Sequence, residues 1–551
     1  MQPSTNSLVH FQTVKLFTMA CACSLAATLC VSAIAFNQEA QQKTDAERSQ
    51  QTPSLTPSER RGRAIYLRGQ SSGKGEITAV VGELEVPATS VNCAGCHGRR
   101  GEGKTEGGVT AGNLTWANLT KPYGHKHSTG RNHGPFNESS FATAVVRGVD
   151  PSGNNLMVAM PRYRMSIEDM NDLLAYIKRM EFDRDPGVTS DSIDVGIPLP
   201  TSAALATTGD AIRQVTSAYF DDLNAGGGIY NRKVKLHFTE SGATDLSASL
   251  RSLTTQNEIF AFIGGISAGA DKQINALARE QEIPFIGPAT LLPQIDQPPN
   301  RYVFYLLPGV NEQAVALVNF ADQQLDLKKL RSAVVFPNTE LSSAAAEATL
   351  TRAKEVGWSN VVKMPYTATN FDANTLAQQL KTDGTVAVFI FGSGNDVETF
   401  LRAANALNWN PYIFSLGILA SKDLPNSLPF SFTKKVFLTF PTVPGDVTAD
   451  GLAEYRRLAD KYKLPPQHTT AQLAALAAAK TFVEGLKRVG ADLSREQLVS
   501  ALESLYDYDT GLTPKLIFGP NKRVGAAGAY VITINSDTKN FEPVGGWIAA
   551  H

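Results

Sequence analysis

Apolar runs alternate with amphipathic segments from Asp194 to the end of the chain. The short apolar run "DVGIPLP" is followed by the long segment "AALATTGDAIRQVTSAYFDDLNAGGGI", in which apolar residues recur at helical spacing. Short apolar runs separated by helix-length segments predict parallel strands joined by crossover helices. The pattern continues through "KVKLHFTES", "LSASLRSLTTQN", "IFAFIGG", "AGADKQINALAREQ" and "PFIGP".

The same pattern then starts a second time, which indicates a second unit of the same kind. Two α/β lobes joined in this way would enclose a ligand between the carboxyl ends of their strands. We therefore predict two lobes, each with a parallel sheet and helices on both faces. The second series consists of "SAVVFP", "AAAEATLTRAKEVGW", "NVVKMPY", "NTLAQQLKTD", "VAVFIFG" and "VETFLRAANALNW".

The region before Asp194 lacks this alternation and is predicted to form a separate, smaller domain. Its last helix is indicated by "IEDMNDLLAYIKRM", in which apolar residues have helical spacing behind Ser166, a suitable N-cap. The stretch "EFDRDPGVTSDSI" is rich in turn-forming residues and predicts a linker. The predicted boundaries are 58–182 for the small domain, 183–190 for the linker and 191–551 for the α/β region.

The first residues have the pattern of an export signal. Lys15 precedes the apolar run "LFTMACACSLAATLCVSAIAF", and Ala33 and Ala35 supply an A-x-A cleavage site. We predict a signal peptide at residues 1–35, a flexible polar segment at 36–57 and a periplasmic location. The apolar run is close to the ~20 residues that span a bilayer, so an uncleaved membrane anchor is the alternative.

Composition and net charge limit the classes of molecule that this protein is expected to bind. Hydrophobic residues make up 42% of the chain and charged residues 19%, which is sufficient for sizeable cores. The formal net charge is −1, so nothing in the charge balance indicates nucleic acid or a membrane surface as a partner. We expect no nucleic-acid binding.

Only two of the five cysteines follow the predicted signal peptide, Cys93 and Cys96, within "VNCAGCHGRRGEG". A close pair in an oxidising compartment could form a disulfide. His97 follows at once, however, and C-x-x-C-H is the attachment signature of c-type haem, in which two thiols bind the porphyrin and the imidazole binds iron. We therefore predict that Cys93, Cys96 and His97 bind one covalent haem c.

The sequence from Ser58 to Glu181 resembles class I cytochrome c domains. The resemblance rests on the helix "SERRGRAIYLRG", the C-x-x-C-H-G motif, a Met-Pro pair and the final helix "DLLAYIKRM". It implies that His97 and Met160 are the axial iron ligands, with Met157 and Met165 as nearby alternatives. It also implies a small all-α domain that carries electrons. The intervening "GHKHSTGRNHG" is expected to be a solvated loop, with a metal site or an alternative haem ligand as the other interpretations.

From about Ser190 onward the chain resembles type I periplasmic binding proteins of the leucine/isoleucine/valine group. The segments that carry this resemblance are "GIPLPTSAALATTGDAIRQVTSAYFDDLNAGGGIYNRKVKLHFTES" and "IGGISAGADKQINALAREQEIPFIGPAT". The resemblance implies that residues following the third and fourth strands bind a ligand carboxylate. The residues at those positions are Ser267, Ala268, Ala289 and Thr290.

The second lobe departs from that family pattern. Family members bind the ligand ammonium with tyrosines and an acidic residue, whose positions here fall near Glu340, Ser393 and Gly417. No aromatic residue stands at these positions, and only Glu340 is acidic. An unpaired ammonium would be costly in a closed cleft, so we expect another small polar ligand rather than a free α-amino acid.

These patterns predict a non-enzymatic protein. The sequence has no H-E-x-x-H helix, and a haem with both axial positions filled carries electrons. We expect an exported mono-haem cytochrome coupled to a solute receptor, exchanging electrons with a periplasmic dehydrogenase or a respiratory cytochrome. The alternatives are a receptor that serves an ABC-type permease and a docking platform without a solute.

Overall fold

The computed structural model describes residues 55–71, 73, 75–103, 105–106, 109–127, 130–200, 202–239, 245–267, 269–295, 298–491 and 493–550. The predicted signal peptide, most of the polar segment after it and Ala268 lie outside the described residues. The chain divides into two compact units, the first ending at Arg184 and the second beginning at Asp185. Among the described residues, no helix combines the length and the apolar character that a membrane crossing requires.

The first unit is helical, with small antiparallel ladders. Strands β1, β2 and β7 form a three-stranded antiparallel sheet, and β3–β4 and β5–β6 are two-stranded pairs. The helices are α1 (Pro57–Arg68), α2 (Cys93–His97), α3 (Trp116–Leu119), α4 (Glu138–Arg147) and α5 (Ile167–Arg179). The strands are β1 (Thr78–Val81), β2 (Leu84–Pro87), β3 (Thr105–Glu106), β4 (Val109–Thr110), β5 (His125–Lys126), β6 (Asn132–His133) and β7 (Arg162–Arg164).

The first and last helices of this unit pack directly on each other. A capping box between Thr56 and Glu59 starts α1, and Ser166 caps α5 by accepting a hydrogen bond from the backbone N–H of Asp169. Gly62 allows the two helices to approach closely, because a Cβ at this position would lie 1.9 Å from the carbonyl oxygen of Asp172. The predicted helix pair is therefore present and meets at a glycine.

The first lobe of the second unit has a five-stranded parallel sheet in the order β12-β11-β10-β8-β9. Placing the first strand inside the sheet, with later strands on both sides, is the topology of doubly wound α/β folds. The strands are β8 (Ser192–Ile197), β9 (Lys233–Phe238), β10 (Ala261–Ile263), β11 (Phe285–Ile286) and β12 (Val303–Phe304). The helices are α6 (Ala206–Ala225), α7 (Leu246–Gln256) and α8 (Asp271–Gln281).

The second lobe has a seven-stranded sheet in the order β14-β13-β15-β16-β17-β18-β19. The first five of these strands are parallel, and the last two, which the sequence pattern did not predict, are antiparallel. The strands are β13 (Ser332–Pro337), β14 (Val361–Tyr366), β15 (Ala387–Ile390), β16 (Tyr412–Leu416), β17 (Val436–Phe440), β18 (Gly528–Asn535) and β19 (Asn540–Ala549). The helices are α9 (Val310–Leu325), α10 (Glu340–Glu355), α11 (Ala373–Thr382), α12 (Gly394–Ala406) and α13 (Leu424–Ser427).

Three later helices return to the first lobe, α14 (Ala449–Tyr462), α15 (Thr469–Val489) and α16 (Arg495–Glu503). Their buried residues share one hydrophobic core with β8–β12. The buried Arg495 guanidinium attaches α16 to the sheet by donating hydrogen bonds to the carbonyl oxygens of Ile259, Phe260 and Gln281. The first lobe is thus built from two separate stretches of the chain. The fold confirms the predicted combination of a small helical domain and a two-lobed α/β domain.

One ion pair that attaches α14 to α6 gives a pH-dependence test. Arg457 and Lys461 donate hydrogen bonds of 2.8 and 2.7 Å to Asp222, and they hold the pKa of its carboxyl at about 2. Because this pKa is depressed, the stabilisation is present above the unfolded pKa of about 4 and is lost as the pH falls towards 2.

We expect the Asp222→Asn variant to be less stable than the parent at about pH 6, by no more than about 1 kcal/mol because the ion pair is partly exposed. The difference should shrink as the pH falls through the range of about 4 to 2. Denaturant unfolding at several pH values measures it, with the exposed neighbour Asp221→Asn as a control. A pH-independent difference would contradict the assignment.

Candidate functional site

The C-x-x-C-H motif folds as a short helix, α2, that brings its functional groups together. Asn92 caps the helix by accepting a 3.0 Å hydrogen bond from the backbone N–H of Gly95. Cys93 and Cys96 are three residues apart, so they lie on one face of the helix, and both are free thiols. Burial raises the pKa of Cys93 to about 11, so this sulfur is a neutral thiol at neutral pH.

His97 is oriented in the way that a metal-ligating histidine requires. Its side chain is buried, and its Nδ1 lies 2.7 Å from the carbonyl oxygen of Gly112. Because a carbonyl can only accept, Nδ1 carries the proton and the Nε2 lone pair is left for a metal. Burial also lowers the pKa of His97, which favours the neutral, metal-binding form. These residues fit a covalently held haem.

The three candidate methionines differ in their environment. Met160 and Met165 are partly buried and pack against the hydrophobic core of the first unit. Met157 is 51% exposed and lies three residues before Met160 on the same loop. Among the three, Met160 combines a loop position directly before Pro161 with partial burial, the environment in which a thioether could reach a buried metal.

The histidine-rich loop is only partly solvated, contrary to the sequence-based expectation. His133 is 5% exposed and lies edge-on against the ring of Phe136. The rings of His125, His127 and His133 lie within 5.1–6.1 Å of one another, centroid to centroid. In the part of the chain that the structure describes, no group of three or more His, Cys, Asp or Glu side chains is placed to hold a metal ion.

In the first lobe, the predicted carboxylate-binding residues follow β10 and β11. Ser267 is buried, and its hydroxyl donates a 2.6 Å hydrogen bond to the Asp271 carboxylate at the start of α8. Thr290 accepts a hydrogen bond from the backbone N–H of Leu292, while Ala289 is exposed. The Ser267 hydroxyl, which was expected to bind a ligand carboxylate, therefore donates its hydrogen bond to a carboxylate of the protein itself.

In the second lobe, Glu340 and Ser393 both have protein partners. Glu340 accepts a 3.1 Å hydrogen bond from the ammonium of Lys272, so the starts of α8 and α10 face each other across the two lobes. Both side chains are about 70% exposed, which makes this a weak, salt-sensitive link. Ser393 caps α12 by accepting a hydrogen bond from the backbone N–H of Asp396.

Two aromatic residues, Tyr366 and Phe440, lie at the carboxyl ends of strands in the second sheet. The sequence analysis did not identify them as site residues. The Tyr366 hydroxyl donates a 2.9 Å hydrogen bond to Asp396, and it lies 2.4 Å from where a Cβ of Gly392 would stand. The Phe440 ring covers Gly417 at a comparable distance. Tyr366 ends β14 and Phe440 ends β17. These strands are neighbours of β13 and β16, and the family resemblance placed site residues after β13 and β16. The only available signal for the two aromatic residues was their position at the carboxyl ends of β14 and β17.

Comparison with known proteins accounts for both units. Residues 192–539 match the family model for periplasmic binding proteins, and residues 88–181 match the one for cytochrome c. The chain is similar to "Leu/Ile/Val-binding protein homolog 7" of Brucella abortus (strain 2308), with 22% identity over 231 residues. That match covers 40% of this chain and 57% of the relative, so the chain spans little more than half of its length.

A solved structure shows the same fold as the second unit. A Rhodospirillum rubrum protein provisionally assigned as a branched-chain amino acid ABC transporter superposes with a TM-score of 0.52 and 17% identity. That superposition covers 64% of this chain and 100% of the other. A Thermus thermophilus branched chain amino acid ABC transporter structure with bound valine gives a TM-score of 0.49 and 18% identity, over 65% of this chain and 96% of the other.

Proposed function

We propose a function from two premises: this chain belongs to the periplasmic binding protein family, and it also carries a cytochrome c domain. On these grounds we infer that it is an exported one-electron carrier with a solute receptor. The cytochrome c domain implies haem c. The observation that carries the electron-transfer part is the short helix Cys93–His97, with two thiols on one face and a free imidazole nitrogen. The proposed location is the periplasm, from the export signal predicted at residues 1–35.

In the first unit, we assign one covalent haem to Cys93 and Cys96, with His97 and Met160 as axial ligands. Each thiol S–H would add across one vinyl double bond, which forms a thioether without loss of atoms. When bound, the haem supplies reversible one-electron chemistry at iron. His97 would present Nε2 to the iron and keep its Nδ1 proton on the carbonyl oxygen of Gly112, and Met160 would supply a thioether ligand.

In the second unit, we assign a small polar solute to the region between the two lobes. Asp271 occupies the place where a ligand carboxylate would approach the start of α8, and like charges in a partly buried site repel. In the second lobe, the Asp396 carboxylate accepts hydrogen bonds from the Tyr366 hydroxyl and from the backbone N–H of Ser393, and its other oxygen suits an amine or a hydroxyl group. This arrangement favours neutral or cationic solutes over carboxylates.

The names of similar proteins support a second candidate function. Proteins called Leu/Ile/Val-binding and branched-chain amino acid ABC transporter share this fold, and substrate-binding proteins typically work with ABC permeases. Delivery of the solute to such a permease is therefore the alternative to coupling with a periplasmic dehydrogenase or a respiratory cytochrome. In a third alternative, the receptor domain would be a docking platform without a solute.

A thermal-shift screen of the haem-loaded protein tests the receptor assignment. The panel contains amines, alcohols, amino acids, small carboxylates and aromatic acids. A ligand at a hundred times its dissociation constant should stabilise the receptor unit by about 2.7 kcal/mol. We expect the largest shifts from amines or alcohols. For an amine that binds, Asp396→Asn should reduce the shift, whereas the exposed helix cap Asp372→Asn should leave it unchanged.

The outcomes of this screen separate the candidates. A shift with carboxylates alone would contradict the proposed ligand class while keeping a receptor. No shift with any compound would favour the docking platform.

A further inference from the structure

The loop that carries Met160 is held at two separate points. Near its start, the Asp150 carboxylate accepts hydrogen bonds from the backbone N–H groups of Ser152 and Asn154, both at 2.9 Å. Arg131 donates a 2.8 Å hydrogen bond to the same carboxylate, whose side chain is fully buried. This first anchor fixes the turn but lies ten residues before Met160.

The second anchor acts directly on the methionine. Arg162 donates hydrogen bonds to the carbonyl oxygen of Met160 and, at 3.1 Å, to that of Leu156. The carbonyl oxygen of Met157 lies 3.5 Å from the same guanidinium. One side chain therefore contacts three main-chain carbonyls of the loop, including that of the proposed ligand residue. A guanidinium has five N–H donors in a rigid plane, so it can hold several acceptors at once.

The Arg162 guanidinium is held in place by close packing against Gly148. Gly148 lies beneath it, and a Cβ at Gly148 would stand 1.7 Å from Nε of Arg162, so only glycine leaves room for this contact. Burial lowers the pKa of Arg162, although the group stays charged at neutral pH. The partners of the Arg162 guanidinium given above are neutral carbonyls, so its hydrogen bonds hold the loop in position.

We propose that Arg162 is a positioning residue that holds Met160 on the iron by bracing the carbonyl groups of the methionine loop. The inference rests on the proposed function, in which Met160 is an axial ligand. A ligand held by a braced loop dissociates less often, because leaving the metal would also break the hydrogen bonds to Arg162. Without the brace, an external ligand can compete more successfully for the same coordination position.

The test measures imidazole binding and midpoint potential in the haem-loaded full-length protein. Arg162→Gln should bind imidazole roughly tenfold more tightly, as expected when one or two hydrogen bonds to a charged donor are lost. The midpoint potential should fall because a larger fraction of the iron loses its thioether ligand. Arg162→Lys, which keeps the charge but not the planar fork, should lie between the parent and Arg162→Gln.

Arg164 provides the matched control. It lies two residues further along β7, is 67% exposed and pairs with Glu85, so Arg164→Gln should change neither quantity. Parent-like imidazole affinity and potential in Arg162→Gln, or in Arg162→Lys if the glutamine variant fails to fold, would overturn the inference.

Met160→Ala distinguishes the two levels of the argument. If that variant changes both quantities while the Arg162 variants do not, only the positioning role fails. If Met160→Ala is also unchanged, the ligand assignment itself fails.

Discussion

Replacing Met160 with alanine should lower the midpoint potential of the haem-loaded protein and leave one iron position open to small ligands. A thioether ligand raises the potential of a c-type haem, and axial-ligand identity tunes haem potentials over ~0.8 V in total. We therefore expect a decrease on the order of 0.1 V, together with a changed absorption spectrum. Potentiometric titration followed by visible absorbance measures both.

The neighbouring methionines are the controls for this experiment. Met157→Ala removes a side chain that is 51% exposed, and it should leave the potential unchanged. Met165→Ala should affect stability more than potential, because this residue packs against the core of the first unit. A parent-like spectrum and potential in Met160→Ala would move the axial ligand to Met157 or Met165.

Gly62→Ala should destabilise the first unit by about 1–3 kcal/mol, although alanine is the better helix former. Helix propensity alone predicts a gain of about 1 kcal/mol. The new Cβ would instead lie 1.9 Å from the carbonyl oxygen of Asp172 and 2.8 Å from the Cβ of Tyr176, so α1 and α5 would have to separate. The two arguments predict opposite signs, which makes the measurement decisive.

Denaturant unfolding of the haem-loaded protein, followed by haem absorbance, reports on the first unit alone. Gly75→Ala is the matched control, because its added Cβ would meet no atom within 4 Å. A more stable Gly62→Ala variant would show that the crossing of α1 and α5 tolerates a side chain. The close approach of the two helices would then not require a glycine at this position.

Several local features followed from the sequence because they act within a few residues. The haem motif lies within one turn and a half of helix, so the spacing in C-x-x-C-H was sufficient to group the thiols with His97. The cap at Ser166 and the helix after it were also predicted and are present. The alternation of strands and helices predicted the two α/β lobes, since burial on a parallel sheet requires it.

Other features depend on partners that are distant in the chain. The antiparallel pairing of β18 with β17, and the return of α14–α16 to the first lobe, join residues that are far apart in the chain, so local sequence patterns did not predict them. His133 was expected to be solvated, yet its ring is covered by Phe136 and neighbouring histidines. Burial of a polar side chain in a glycine-rich loop depends on what folds over it.

By itself, the sequence determined the class of each unit and the groups that would bind haem, because repeating patterns and short motifs carry that information locally. The tertiary structure alone decided which side chains from distant parts of the chain meet. Tyr366 and Asp396 meet from 30 residues apart, and Lys272 and Glu340 meet from 68. Hydrogen bonds act over about 3 Å, so the order of the strands in each sheet selects which side chains become partners.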